Sequence, residues 1–360
     1  MMEKQAGNPM ATAGGGALPD LLREGALRYA GCPAIRFDGR TLTFAEADRI
    51  TDRVAAGLAA RGIRKGDRIA LYAINSHWFP LAYFGILKAG AAVVPLNLLL
   101  NPKEAAFILR DAGARGLFYH RSFDASVAAL RPMAPGLEFL VSFGGPPAPP
   151  HLDWETLAAY EGPAPVVAFD PGVDLAAILY TSGTTGRPKG AMLTHRNLLS
   201  NVESTSQALS IEPGRERFLV VLPLFHAFAA TACMLLPLAT GSLMVPLPRF
   251  DPAQVAAAIA AENITLFMGV PSMFVAMLRL PDACAPQLAS LRFCVSGGAA
   301  LPVAVLREFE ARFGKKIYEG DGPTECSPVT CVNPIGGLAK PGTVGLPVPG
   351  VEMRILAEQG

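Results

Sequence analysis

The stretch ILYTSGTTGRPKGAMLTHRN, residues 178–197, joins an apolar run to a segment of glycine, hydroxyl and basic residues. Residues 175–180, LAAILY, predict a buried strand because they form a short, continuous apolar run. In residues 181–190, TSGTTGRPKG, glycines allow backbone N–H groups to converge on an anion, hydroxyls donate hydrogen bonds and Lys189 adds a positive charge. The pattern favours a polyphosphate-binding loop over a solvated surface turn.

The residue order after this loop argues against a P-loop NTPase. That motif needs adjacent Gly-Lys-Ser/Thr residues and a helix that starts at once, with the anion at the helix N-terminus. Here Lys189 follows Pro188 and precedes Gly190, and residues 191–194 are predicted to be extended. The helix is predicted to begin near His195, with Thr194 as its N-cap. The loop therefore holds phosphates in another way.

Length and composition indicate a large folded protein. Its 360 residues are 51% hydrophobic and 17% charged, which predicts two or three subdomains around sizeable cores. The net charge of +1 gives no sign of a nucleic-acid partner. The six cysteines form no C-x-x-C pair, which argues against a zinc site, and their scatter is typical of a reducing compartment. The expected location is cytoplasmic, with peripheral membrane docking left open.

One long apolar segment, residues 218–248, contains no Lys, Arg, Asp or Glu. Prolines and a glycine interrupt it, so no span of about 20 helical residues survives to cross a membrane. We predict a strand, a turn, a buried helix and a second strand here, and no transmembrane segment.

Strands and helices alternate along the chain, which indicates parallel α/β layers. Predicted helices cover residues 42–62, 80–90, 251–263 and 302–314, and predicted strands cover residues 67–74, 91–96, 217–223, 264–271 and 291–298. We divide the chain into a flexible tail at 1–17, a first α/β subdomain at 18–174, a second at 175–335 that carries the phosphate loop, and a mostly β piece at 336–360. The last piece is rich in Gly and Pro and includes a short alternating strand at 351–355.

The run YTSGTTGRPKGAMLTHRN, residues 180–197, resembles the signature loop of the adenylate-forming superfamily, which includes acyl-CoA synthetases, luciferases and peptide-synthetase adenylation domains. Other segments follow in that family's order: residues 70–97, LPLFHAFA at 222–229, MGVPSMF at 268–274, VSGGAALP at 295–302, YEGDGPTECSP at 318–328 and GTVGLPVPGVEMRI at 342–355. The resemblance is closest to fatty acid–CoA ligases. It implies two stacked α/β subdomains with mostly parallel sheets and the start of a small β-barrel subdomain, with the family's C-terminal domain absent.

The resemblance also implies a set of site residues. Lys189, Thr181 and Glu325 are expected to be catalytic, and Thr181 and Glu325 to bind Mg²⁺, although a lone glutamate in a loop is usually just solvated. ATP is expected to contact Thr181, Ser182, Gly183, Thr184, Thr185, Gly186, Lys189, Gly297, Gly298, Ala299, Glu319, Gly320, Asp321, Gly322 and Thr324. Asp321 departs from the family's pattern, which has an aromatic ring against adenine at this position.

Four residues are expected to contact the acid substrate: Phe225, His226, Val270 and Gly297. Domains of the family that activate amino acids usually carry an aspartate just after the aromatic residue, whereas this chain has His226 and Ala227. An acid without an α-ammonium group is therefore favoured. The surrounding Phe and Met residues fit a fatty or an aromatic acid, and the resemblance to fatty acid–CoA ligases implies a medium- or long-chain fatty acid.

The reaction implied is ATP-dependent formation of an acyl-adenylate, followed in the full-length enzyme by thioester formation with CoA. Because the family's C-terminal segments are not found before residue 360, weak activity is expected of this chain. Two alternatives stay open: an acyl-AMP ligase that loads a carrier protein, and a non-catalytic module that binds ATP or acyl-AMP. A homodimer is compatible with the sequence.

Overall fold

The computed structural model describes residues 16–146, 150–181 and 187–356. The helices there are α1 Leu18–Arg28, α2 Phe44–Ala59, α3 Trp78–Lys88, α4 Pro102–Asp111, α5 Asp124–Leu130, α6 Trp154–Ala158, α7 His195–Ala208, α8 Ala227–Ala229, α9 Leu236–Ala239, α10 Pro252–Glu262, α11 Pro271–Met277 and α12 Val303–Phe313. The strands are β1 Pro33–Phe37, β2 Arg40–Thr43, β3 Arg68–Tyr72, β4 Ala92–Pro95, β5 Gly116–His120, β6 Phe139–Phe143, β7 Leu152–Asp153, β8 Leu175–Thr181, β9 Lys189–Thr194, β10 Arg217–Val220, β11 Leu243–Pro246, β12 Leu266–Gly269, β13 Phe293–Ser296, β14 Ile317–Asp321, β15 Cys331–Val332 and β16 Leu346–Pro347.

These strands form two sheets, both parallel in their interiors. Nine of them lie in the order β16-β15-β14-β13-β12-β10-β11-β1-β2, and seven lie in the order β7-β6-β5-β3-β4-β8-β9. Antiparallel pairs occur at the edges: β1 with β2, β14 with β15, β15 with β16, and β8 with β9. The predicted α/β class with mostly parallel sheets is confirmed.

Alternate residues of the interior strands pack into different cores. On β3, Ile69 and Leu71 belong to a central core that also contains Phe218 and Val220 of β10, so both sheets contribute to it. Ala70 belongs to an outer core on the far face of its sheet. Because successive side chains of a strand point to opposite faces, each interior strand is buried on both sides and reads as a continuous apolar run.

Neither sheet is built from one continuous stretch of chain. The hairpin β1–β2 lies in the nine-stranded sheet, although the next strands along the chain, β3 to β7, form the other sheet. Strands β8 and β9 join those earlier strands in the seven-stranded sheet. The division expected at residue 174 therefore does not follow the sheets. Of the tail expected at 1–17, residues 1–15 lie outside the described ranges, and Ala17 is buried at the start of α1.

Most of the sequence-predicted elements are confirmed, with shifts at their ends. The helix predicted from residue 42 begins at Phe44, because Leu42 belongs to β2 and Thr43 caps the helix through its hydroxyl, which accepts from Glu46 N. The predicted N-cap Thr194 is also confirmed, since its hydroxyl accepts from Asn197 N at 3.2 Å.

The apolar segment at 218–248 folds as predicted. It forms β10, then a buried helical run in which a π-helical turn at Ala230–Leu235 connects α8 to α9, and then β11. Among the described residues, no helix is both long and apolar enough to span a bilayer.

The strand predicted at residues 351–355 is wrong, because these residues are not in a strand. Their neighbour β16 already pairs with β15, and Ile355 is fully exposed at 102%. An alternating pattern predicts a strand only where a partner strand can satisfy its backbone groups, and no described strand pairs with these residues.

The amide of Asn75 joins the two sheets. This side chain follows β3 and is 3% exposed. Its Nδ2 donates to the carbonyl oxygens of Val220 at 3.3 Å and Leu222 at 2.9 Å, and its Oδ1 accepts from Leu224 N at 2.9 Å. One buried side chain thus bonds three backbone groups of the other sheet, one at the end of β10 and two in the segment that follows it.

We expect Asn75→Ala to lower the free energy of unfolding by about 3 kcal/mol, because three hydrogen bonds are lost and buried backbone groups are left unpaired. Urea unfolding followed by circular dichroism measures this change. Gln254→Ala, at an exposed position of α10, is the control and should change stability by less than about 0.5 kcal/mol. Equal stability of the two variants would refute the role given to Asn75.

Candidate functional site

The phosphate loop predicted from sequence is carried by the antiparallel pair β8–β9. In this pair Thr181, the last residue of β8, lies opposite Lys189, the first residue of β9. The predicted loop residues Ser182, Gly183, Thr184, Thr185 and Gly186 lie outside the described residues. Lys189 is exposed, as its predicted contact with a polyanion requires.

The end of β8 is anchored from the neighbouring helix. The hydroxyl of Tyr180 donates to Asp111 Oδ2 of α4 at 2.6 Å. Burial and this hydrogen bond raise the pKa of Tyr180 above its ordinary value, so the phenol stays protonated and keeps donating. The residue that precedes Thr181 is therefore fixed in position.

Thr181 and Glu325, the residues expected to bind Mg²⁺, lie in contact. Thr181 Oγ1 donates to Glu325 Oε1 at 3.3 Å, across 144 residues of sequence. Glu325 lies in a short 3₁₀ turn at Thr324–Cys326 that follows β14. Both side chains reach the surface, so the contact is open to a ligand.

The donor atoms of this pair fit Mg²⁺. That ion prefers oxygen ligands and is commonly bound through one or two carboxylates, with substrate phosphates and waters completing its shell. Glu325 supplies one carboxylate, and Thr181 supplies a hydroxyl oxygen beside it. In the part of the chain that the structure describes, no group of three or more His, Cys, Asp or Glu side chains is placed to hold a metal by itself. An ion here would therefore depend on phosphate oxygens.

The segment after β14 is held in a tight loop. A Cβ atom on Gly322 would lie 2.9 Å from Val329 Cα and closer still to the Pro328 carbonyl, so only glycine fits. Asn201 of α7 fixes the far side of the loop: its Nδ2 donates to Val329 O at 2.7 Å, and its Oδ1 accepts from Val329 N at 3.1 Å. These contacts position Thr324 and Glu325 relative to α7.

Glu319, a predicted ATP contact, is 4% exposed, and only one of its two carboxylate oxygens has a hydrogen-bond partner among the described residues. Its Oε1 accepts from Leu301 N at 2.8 Å, whereas its Oε2 is buried without a hydrogen-bond partner among the described residues. An unpaired buried carboxylate oxygen is costly, and Glu319 is not among the residues that line the apolar pocket described below. Asp321, two residues later, is exposed, and its main-chain oxygen accepts from Thr330 N at 3.0 Å.

The predicted turn at 297–299 follows β13. Gly298 has φ +78°, a conformation that favours glycine, and Ala299 after it is exposed. A Cβ atom on Gly297 would lie 3.2 Å from the ring of Phe228, so the glycine brings this aromatic ring close to the backbone.

An apolar pocket with a cavity volume of about 70 Å³ lies beside these loops. Its wall combines four glycines, Gly297, Gly298, Gly320 and Gly322, with apolar side chains that include Leu209, Phe228, Met268, Val295, Val329 and Val332. Residues predicted to contact ATP thus border the space suited to an apolar substrate. An apolar cleft with a few polar groups at its edge is the usual form of a small-molecule site.

Of the predicted acid contacts, Gly297 lies in this wall, and the other three are not among its lining residues. Phe225 and His226 immediately precede α8 with their rings 4.4 Å apart, and partial burial lowers the pKa of His226, which favours the neutral imidazole at pH 7. Val270 caps α11, and its Cγ1 lies 3.6 Å from where a Cβ atom on Gly298 would stand.

Sequence reasoning missed the contribution of α7 to the pocket. Thr205 and Leu209 line the wall and are four residues apart, which places them on one face of the helix. Apolar residues at 198, 202 and 209 continue that face, so the helical period was a usable signal. The helical period does not show, however, that this face of α7 borders a cavity as well as the core.

Comparison with known proteins gives one matching family model, that of the AMP-binding enzymes, over residues 22–360. The chain is 33% identical over 370 residues to a long-chain-fatty-acid–CoA ligase of Bacillus subtilis (strain 168), a match that covers 95% of this chain and 66% of the relative. It is 36% identical over 328 residues to a feruloyl-CoA synthase of Amycolatopsis sp, covering 91% of this chain and 63% of the relative. It therefore spans about two thirds of the length of these curated relatives.

A solved structure with a similar fold is that of an anthranilate CoA ligase in complex with anthranoyl-AMP. It aligns with a TM-score of 0.90 at 29% sequence identity, covering 96% of this chain and 67% of that chain. The likeness extends over both sheets described above.

We expect Gly322→Ala to lower the free energy of unfolding by about 1–3 kcal/mol, because the added methyl group overlaps the backbone at Pro328 and Val329. Chemical denaturation measures the change. Gly31→Ala is the control, since a Cβ atom there meets nothing within 4 Å. The tight-loop assignment fails if both variants unfold at the same denaturant concentration.

Proposed function

Because this chain belongs to the AMP-binding enzyme family, we propose that it activates a carboxylic acid with ATP to form an acyl-adenylate and pyrophosphate. In the whole protein, the thiol of CoA then takes the acyl group and AMP leaves. The observation that carries the proposal is the contact between Thr181 and Glu325, which brings the start of the phosphate loop to the loop that borders the apolar pocket.

The first step needs no general base. A carboxylic acid with a pKa of about 4 is ionised at pH 7, so its oxygen can attack the α-phosphorus of ATP directly. The new bond joins the carboxylate oxygen to phosphorus, and the bond from that phosphorus to the bridging oxygen of pyrophosphate breaks. The protein's task is to align the two reactants and to stabilise negative charge on the phosphate oxygens.

The residues available for this task lie around the loop. Lys189 supplies a positive charge opposite Thr181, and backbone N–H groups of the loop would supply donors. Thr181 and Glu325 would hold Mg²⁺, which when bound neutralises phosphate charge and orients the leaving group. Apolar walls of the pocket exclude water and so protect the mixed anhydride from hydrolysis.

The adenine of ATP is proposed to contact the turn at 297–299 and β14. Gly298 and Gly320 let a flat ring approach the backbone. We propose no stacking contact from Asp321, because a carboxylate offers no ring.

The acid is proposed to be apolar around its carboxylate and to lack an α-ammonium group. Residues 225–227 carry no anion to pair with an amine, and the pocket wall is mainly apolar. Relatives of this chain are named for long-chain fatty acids and for ferulate, and a structural neighbour holds anthranoyl-AMP. A medium- or long-chain fatty acid is the candidate that the sequence favours, and an aryl acid is the second.

The experiment that tests the function is acid-dependent release of pyrophosphate from ATP by residues 1–360, with fatty and aryl acids supplied separately. We expect slow release that requires both the acid and Mg²⁺, and CoA thioester formation in the full-length protein. Release that does not depend on any acid, or no release with every acid, would overturn the proposal.

Glu325→Gln should lower the rate of acid-dependent pyrophosphate release by at least about 10-fold, and raising the Mg²⁺ concentration should recover part of the loss, because a neutral amide binds the ion more weakly than a carboxylate. The readout is the rate as a function of Mg²⁺ concentration. Glu308→Gln, which removes an exposed carboxylate from α12, is the matched control. An unchanged Mg²⁺ dependence in Glu325→Gln would contradict the assigned role.

A further inference from the structure

Thr205, in the wall of the apolar pocket, carries a buried hydroxyl without a partner. The residue is 2% exposed, and its Oγ1 has no hydrogen-bond partner among the described residues. Threonine within a helix commonly bonds the carbonyl one turn earlier. Thr51 does so in this chain, donating to Ala47 O at 2.9 Å, and Thr240 donates to Leu236 O at 2.9 Å. The hydroxyl of Thr205 departs from this default.

The other polar residues that line the pocket have other arrangements. Asp321 is exposed. The Sγ of Cys331 lies 3.8 Å from the main-chain oxygen of Asp321. Ser296 also lines the pocket and has a buried Oγ without a partner among the described residues, but alternation along β13 directs its side chain to the face of Cys294, which belongs to an outer core. Thr205 therefore supplies the unpaired hydroxyl of this wall.

The position of Thr205 suits the distal part of an acid. Gly322 borders the pocket and lies three residues before Glu325, so their Cα atoms are at most about 11 Å apart. The reacting carboxylate belongs at that end, beside the proposed phosphate site. Thr205 enters the wall from α7, one turn after Asn201, whose amide holds Val329 of the same wall. With the carboxylate placed beside the phosphate site, an acid that fills the pocket would meet Thr205 with other atoms.

A buried hydroxyl left unpaired is unfavourable, whereas a hydroxyl paired by the substrate gives both affinity and discrimination. Threonine can donate and accept, so a hydroxyl, carbonyl or amino group would satisfy it. An unsubstituted alkyl chain or phenyl ring would leave it unpaired. The wall thus distinguishes acids by a polar group remote from the carboxylate.

We propose that Thr205 is a specificity-determining residue and that the acid carries a hydrogen-bonding substituent away from its carboxylate, as in a hydroxyaryl or hydroxyalkyl acid. The inference rests on the proposed function, because the occupant of the pocket is taken to be the acid that is activated. It narrows the sequence-based expectation of a plain fatty acid.

The test compares two matched pairs of acids, para-hydroxycinnamate with cinnamate and ω-hydroxydodecanoate with dodecanoate. The measured quantity is kcat/KM for pyrophosphate release by the 360-residue chain and by Thr205→Val, which replaces the hydroxyl by a methyl group. We expect the hydroxylated member of at least one pair to lose about tenfold in kcat/KM in the variant, and its unsubstituted partner to change less than about twofold. Thr205→Ser should retain the preference.

Thr231→Val is the matched control. Thr231 is also fully buried with an unpaired hydroxyl, but it is not among the pocket-lining residues. Its substitution should leave the ratio between hydroxylated and unsubstituted acids unchanged. Thermal melting of each variant separates a loss of folding from a loss of discrimination.

Equal effects of Thr205→Val on both members of each pair would overturn the inference while leaving the proposed function intact. Absence of pyrophosphate release with every acid would instead refute the proposed function. Calorimetric titration of the same acids into the chain then decides the inference by itself: weaker binding of a hydroxylated acid to Thr205→Val supports it, and unchanged binding refutes it.

Discussion

The proposed chemistry depends on the meeting of two loops that leave different sheets at the carboxyl ends of their strands. Thr181 ends β8 in the seven-stranded sheet, and Glu325 follows β14 in the nine-stranded sheet. Their hydrogen bond of 3.3 Å is possible because the sheets present these strand ends to each other. In open parallel sheets, ligands commonly bind beyond the carboxyl ends of the strands, and here two such edges share one site.

The central core and one buried amide hold the sheets in that arrangement. Side chains from β3 and β10 pack into the same core, so sliding one sheet over the other would expose apolar surface. Asn75 adds directional contacts, because its hydrogen bonds to the segment after β10 fix one relative placement of the two strand edges. Apolar packing thus brings the sheets together, and the hydrogen bonds of Asn75 fix how one sheet is placed on the other.

The pocket combines two properties that the proposed activation of an acid would need. Its apolar wall would keep water from a reactive anhydride, and the glycines at its border would let nucleotide and acid approach the same backbone. Selectivity needs something more, because apolar walls discriminate weakly between acids of similar shape. The unpaired hydroxyl of Thr205 could form a directional hydrogen bond in a wall that otherwise selects acids by size.

The sequence by itself determined the local elements and the chemistry of the loop. Apolar runs located β8 and β10 and a helical period located α2, each to within a few residues, since burial on two faces or along one stripe leaves a readable pattern. The N-cap Thr194 located the start of α7. The order Pro188-Lys189-Gly190 separated the loop from a P-loop, and Glu325 was placed in the site through family resemblance. These features are local, so the sequence carries them directly.

Only the tertiary structure decided which distant segments meet. The sequence of the hairpin β1–β2 does not show that it joins the sheet of β10, because strand pairing depends on partners far along the chain. Residues 351–355 do not form the predicted strand, because their alternating pattern has no partner strand to pair with. Thr205 looked like an ordinary position on a helix face, and its unpaired hydroxyl emerges only when α7, β13 and the loop after β14 close around one cavity.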